Sequence, residues 1–348
     1  MKKNILIIAI LSFVVGLVSC SKWTELENKP LDVPGMPESY YENLKAYKAS
    51  EHPQAFGWYS GWIGSGASLK YSLAGVPDSM DMVSIWGNWG NITPITSDMR
   101  RDLKYAQEVK HIKVYGTVIV LWIGDYITPE EYNDRGEKCA EYWGFADGSE
   151  ESINKAIHRY AEVVCDSIVS IGLDGLDIDW EPYGSGVMGQ ATINNGNCGD
   201  DSRIAYFMEC CREFLTAAGK ELIVDGEIIS IPPRCIPMID KFVYQAYGRP
   251  ASGCNTYLTN CIEAYAEYTT PEDFARRFIV AENFEAYSQS GGGQLMEQAA
   301  WIPTYKGKTL PKGGCGTYHM EYEFTVPGMS GTYPQMRKAI QIMNPTVY

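Results

Sequence analysis

Histidine is scarce in this chain. Four occur in 348 residues, at positions 52, 111, 158 and 319, too scattered to gather round an ion by local spacing. No Cys-x-x-Cys pair and no Cys/His zinc pattern joins them, so no metal site and no cofactor are expected. Clusters of lysine and arginine are missing as well. Forty-three acids outweigh 29 bases, for a formal charge of −14. That balance argues against nucleic acid and anionic membrane surfaces as partners, and admits a neutral substrate more easily than a polyanion. Beyond the first twenty residues no apolar run reaches the length needed to span a bilayer.

The first twenty residues are set apart from the rest. Lys2 and Lys3 precede an apolar run from Ile5 to Val18, too short for a membrane span, which ends in Leu17-Val18-Ser19-Cys20. Residues 1–19 therefore read as a leader, whose loss takes the formal charge to −16. The leader's end resembles a bacterial lipobox. That resemblance implies cleavage before Cys20, a lipid on its sulfur, and an exported protein anchored to the outer membrane or cell surface. The only membrane contact would be that lipid. An ordinary secretory leader is the alternative. Nine cysteines follow Cys20, an odd number that leaves at least one unpaired. Cys210 and Cys211 are neighbours on a predicted helix. Cys198, Cys235, Cys254, Cys261 and Cys315 fall in loop-like or strand-end contexts, open to disulfides in an exported protein.

Short apolar runs alternate with helical patterns along the remainder. Strands are predicted at 56–59, 82–86, 113–122, 175–180, 222–225, 242–246, 278–281 and 316–320, several of them apolar on both faces as parallel strands under helices are. Ser149-Glu150-Glu151 opens a helix that Gly172 should stop, and Thr270-Pro271-Glu272-Asp273 opens another. A further helix should run from Arg203 to Ala218. Eight such repeats predict a single (β/α)8 TIM barrel over residues 51–348, preceded by a tether and a lead-in helix within residues 20–50.

The segment Leu173-Asp174-Gly175-Leu176-Asp177-Ile178-Asp179-Trp180-Glu181 carries the chemistry. Residues two apart on a strand share a face, so Asp177, Asp179 and Glu181 converge while Leu176, Ile178 and Trp180 take the other side. Carboxylates packed this closely resist full ionisation, which supplies the protonated acid that general acid catalysis requires. Glu181 ends the fourth predicted strand, and barrel enzymes work at the carboxyl ends of their strands.

Asp174-Gly-Leu-Asp177-Ile-Asp179-Trp-Glu181 resembles the DxxDxDxE signature of glycoside hydrolase family 18, the chitinases and endo-β-N-acetylglucosaminidases. In the sixth strand, Gln245-Ala-Tyr247 resembles the Gln-x-Tyr of the endo-β-N-acetylglucosaminidases rather than the Met-x-Tyr-Asp of the chitinases. The resemblance implies retaining, substrate-assisted hydrolysis of an N-acetylglucosamine-containing glycan or glycoprotein, between the two core sugars of an N-glycan. Glu181 would be acid and then base. Asp179 would hold the substrate's acetamido N–H, Asp177 would share a proton with Asp179, and Tyr247 and Gln245 would fix the same acetamido group. Asp174, off the alternating register, should support the strand end. Trp86, Trp89, Trp122 and Tyr183 are candidate sugar platforms, whereas Trp58, Trp62, Trp143, Trp180 and Trp301 are assigned to packing. Glu282, Asn283, Glu285, Tyr318, His319 and Glu321 should border the rim. A chitinase, or a glycan-binding barrel without activity, are the other readings these residues allow.

Overall fold

The computed structural model describes residues 35–87, 95–182 and 191–345. Eight parallel strands close into a barrel: β1 Gln54–Tyr59, β2 Met82–Ile85, β3 Lys113–Ile119, β4 Gly175–Trp180, β5 Glu221–Gly226, β6 Lys241–Tyr244, β7 Phe278–Asn283 and β8 Gly314–Tyr318. Each strand pairs with the next, and Gln54 opposite Gly314 closes β1 on β8. The predicted order and number hold, with the ends matched or shifted by at most three residues. Two shifts matter for the site. β3 stops at Ile119, which leaves Trp122 in a loop, and β6 stops at Tyr244, which puts Gln245 and Tyr247 just past the strand.

Alternation along the strands divides the core in two. Leu176, Ile178 and Trp180 face outward into the layer between sheet and helices. Inside the barrel, Phe56, Trp58, Met82, Tyr115, Ile223, Val243, Ile279 and Ala281 form a second apolar cluster, a floor beneath the acids. Lower still, at the amino-terminal mouth, Lys113 ion-pairs with Glu221, which also accepts from the Tyr115 hydroxyl. Polar groups thus seal the end remote from the catalytic mouth.

The helices begin and stop where the sequence signals them. Glu150–Ile171 is capped by the Ser149 side chain and ends at Gly172 in the left-handed conformation. Thr270 caps Pro271–Arg277, and Arg203–Ala217 is capped by Ser202. The lead-in helix Glu38–Ala49 docks beside the start of β2, where Lys48 and His52 both reach Asp81 at 3.1 Å.

The cysteine expectation needs correcting. Cys235, Cys254, Cys261 and Cys315 are buried free thiols, as are Cys139, Cys165, Cys210 and Cys211. Cys254 and Cys261 share one helix, and Cys315 lies inside β8. They pack as small apolar side chains, the common role of a buried thiol.

Candidate active site

At the carboxyl end of β4, Asp177 and Asp179 project into the barrel, 0% and 4% exposed, and Glu181 follows at the mouth. Asp177 Oδ2 accepts from Trp58 Nε1 at 3.0 Å and from Thr117 Oγ1 at 3.2 Å. Asp179 Oδ1 accepts from Gln245 Nε2 at 3.2 Å. Burial, more than neighbouring charge, sets their titration. It pushes Asp177 up to about 6. It pushes Asp179 up to about 8, with the charges of Glu181 and Asp177 adding to the rise.

Tyr247 hangs over the same space, its ring stacked on Tyr318 with centroids 6.0 Å apart, and Tyr318 meets Trp86 edge-on at 5.7 Å. Burial, followed by the charges of Asp225 and Asp179, raises the Tyr247 phenol far above its ordinary value, so it keeps its proton and has a hydrogen to donate at neutral pH. These groups enclose a cavity of about 130 Å³ lined by Trp58, Trp86, Asp179, Glu181, Asp225, Gln245, Tyr247 and Tyr318. A carboxyl at the rim, a buried carboxyl, an amide and a phenol thus converge on a space bounded by aromatic rings.

Five of the predicted residues, Glu181, Asp179, Gln245, Tyr247 and Trp86, therefore share one cavity, with Asp177 immediately beneath it. Trp89 and Tyr183 lie outside the described residues. Trp122 stands apart from these groups. It does not line the cavity, and the Arg135 guanidinium covers one face of its ring at 3.7 Å. Trp58 packs in the interior apolar cluster as expected and also forms part of the cavity wall. Asp174 supports the strand end as expected, accepting from Val114 N and Gln107 Nε2 at 2.8 Å each.

Of the rim residues only Tyr318 lines the cavity. Glu321 is buried and binds the Ser60 backbone and hydroxyl and His319 Nδ1, tying the loop after β8 to that after β1. Glu282, wholly buried, accepts from the backbone N–H of Gly248 at 2.8 Å and of Asn283 and Gln294 at 2.7 Å. Gly248 directly follows Tyr247, so this carboxylate fixes the turn that aims the phenol. Glu282→Ala should leave three part-buried backbone donors without their acceptor and cost about 1–3 kcal/mol, measured by urea denaturation, with a fall in activity alongside.

Sequence reading missed two side chains of the site. Asp225 ends a predicted strand and faces the same interior as Asp179, its partner in the β4–β5 register. An acid closing an apolar run was the available signal. Trp58 carried none, since an indole inside a barrel ordinarily packs.

Comparisons with known proteins bear on the family and the fold. The chain is 26% identical over 327 residues to endo-beta-N-acetylglucosaminidase F2 of Elizabethkingia meningoseptica, covering 87% of this chain and 85% of that one. A solved structure of a BT1044 variant, 28% identical, superposes with a TM-score of 0.71 over 88% of this chain and 92% of its own. An endo-beta-N-acetylglucosaminidase from Cordyceps militaris, 19% identical with a TM-score of 0.62, covers 90% and 98% and shares the fold. The family model described as glycoside hydrolase family 18, BT1044-like, matches residues 23–342, and the chain, a glycosidase by that match, belongs to this family.

Proposed function

We propose that the protein is a retaining endo-β-N-acetylglucosaminidase that cleaves between the two core N-acetylglucosamines of N-linked glycans by substrate-assisted catalysis. The observation that carries this reading is the convergence of Asp179, Gln245 and Tyr247 on one cavity wall with Glu181 at its rim. An acetamido group placed there meets an acceptor for its N–H and a donor for its carbonyl oxygen. Glu181 protonates the glycosidic oxygen as the acetamido oxygen attacks the anomeric carbon. The leaving sugar departs as an alcohol, and the cationic oxazolinium ring is held by Asp179. Glu181, now a carboxylate, takes a proton from water, which opens the ring with retained configuration. Gln245 Nε2 already donates to Asp179 and Asp225, so its part is to hold Asp179 in line rather than to grip sugar. The similarity to endo-beta-N-acetylglucosaminidase F2 supports the same reading.

We further propose that the enzyme is exported and held at the outer membrane or cell surface by lipid on Cys20, a residue outside those described in the structure. Radiolabelled fatty acid incorporation, lost in Cys20→Ser, tests that part.

Mass spectrometry of N-glycoproteins and chitooligosaccharides after incubation tests the activity. Release of glycan leaving one N-acetylglucosamine on asparagine supports the proposal. Shortened chitooligosaccharides with intact glycoproteins would make the enzyme a chitinase, and retention of glycan without cleavage would make it a binder. Tyr247→Phe keeps the ring and removes the donor. It should lower kcat by about 10²-fold with a smaller change in KM, because the lost hydrogen bond strengthens as charge develops.

A further inference from the structure

The acid cluster contains one carboxyl more than the chemistry above uses. Asp225 lies on β5 opposite Asp179, 1% exposed. The next residue, Gly226, turns with φ +99°, and a Cβ there would stand 2.3 Å from the Trp180 carbonyl oxygen, so glycine permits β4 and β5 to stay close beside the acids. Asp225 is within hydrogen-bonding reach of both Asp177 and Asp179. Gln245 Nε2 spans Asp225 Oδ1 at 2.9 Å and Asp179 Oδ1 at 3.2 Å.

Two oxygens in this cluster, Asp177 Oδ1 and Asp225 Oδ2, are buried and receive no hydrogen from any N–H or hydroxyl among the described residues. The groups facing the cluster are Trp58 from β1, Ser84 from β2, Thr117 from β3, the acids of β4, and Gln245 and Tyr247 beyond β6. All are neutral or acidic, and no described lysine, arginine or histidine pairs with any of the three aspartates. Three full charges in this space would set Asp177 and Asp225 against each other, each with an oxygen that no other group supplies with a hydrogen. One hydrogen between them turns repulsion into a hydrogen bond.

We propose that Asp225 is the standing proton bearer of the cluster, a carboxylic acid that donates to the β4 aspartates and so favours the charged, acetamido-accepting form of Asp179. Asp225 is a positioning residue acting through Asp179. Its catalytic consequence rests on the proposed function, whereas its protonation does not. Burial, then the charges of Asp179 and Asp177, raises it well above the ordinary carboxyl range, in keeping with that role.

Infrared spectroscopy of the full chain carrying Glu181→Gln reads the proton directly. Of the other buried acids, Asp125 and Asp177 titrate at about 6, Glu323 at about 7 and Asp179 at about 8. At about pH 9 these are largely ionised. A protonated-carboxyl stretch persisting there, and lost when Asp225→Asn is added, is the expected result. No such band, or a band that survives Asp225→Asn, would overturn the proposal. Kinetics supply the second test. Asparagine imitates a protonated aspartate, so Asp225→Asn should lose less than about tenfold in kcat/KM near neutral pH, against about 10²-fold or more for Asp225→Ala. Equal losses would mean that the charge of Asp225, not its proton, is needed. Should the wild-type chain cleave no glycan, the infrared result still decides where the proton sits.

Discussion

Glu181→Gln is expected to lower kcat on N-glycoproteins by about 10² to 10⁴-fold while leaving binding intact, because the amide occupies the same space and cannot give up a proton. In the bond-breaking step Glu181 acts only on the leaving oxygen, and its later service as a base falls in the step that follows. An aryl glycoside whose phenolate departs unaided should therefore lose much less in the bond-breaking step, measured as the pre-steady-state release of phenol. Wild-type turnover on both substrates would sink the assignment of Glu181. Equal collapse on both would instead mean that the variant harms the whole site.

Asp179→Asn should be nearly as damaging, at about 10² to 10³-fold in kcat, since the charge that meets the developing oxazolinium is removed while the shape remains. Its effect on stability has the opposite sign. Asp179 titrates at about 8 in the folded chain, far above the usual carboxyl range, so the folded state binds more protons than the unfolded chain between the two values. Such a group weakens the fold as pH rises through that window, and the deficit is complete above it. The asparagine variant should therefore melt above wild type near pH 8, with the gap shrinking as pH approaches 4. Asp177, at about 6, and Glu323, at about 7, act in the same direction over lower windows. A variant that melted below wild type at pH 8 and above it at pH 4 would mean that the proton on Asp225 keeps Asp179 charged well below pH 8.

How much of this was legible in sequence depended on whether the cause was local. β4 was read to the residue because its alternation is dictated by neighbours in the chain: apolar Leu176, Ile178 and Trp180 outward, acids inward. The Ser149 cap and the Gly172 stop were equally local. The Arg135 guanidinium over Trp122 was not legible, because it comes from a loop with no periodic signal. Asp225 was passed over because a single acid on a strand acquires its meaning only when the register sets it against Asp179. The thiols misled because loop-like spacing says nothing of whether a cysteine faces water or a packed helix.

The docking of the lead-in helix sets the chain's entry apart from the cleft. Lys48 and His52 fasten the chain's entry beside the start of β2, on the same end of the barrel as the Lys113–Glu221 seal and opposite the mouth that carries Glu181. The described chain thus enters the barrel at the end remote from the cleft, so Lys48, His52 and Asp81 can be altered without touching any group that lines it.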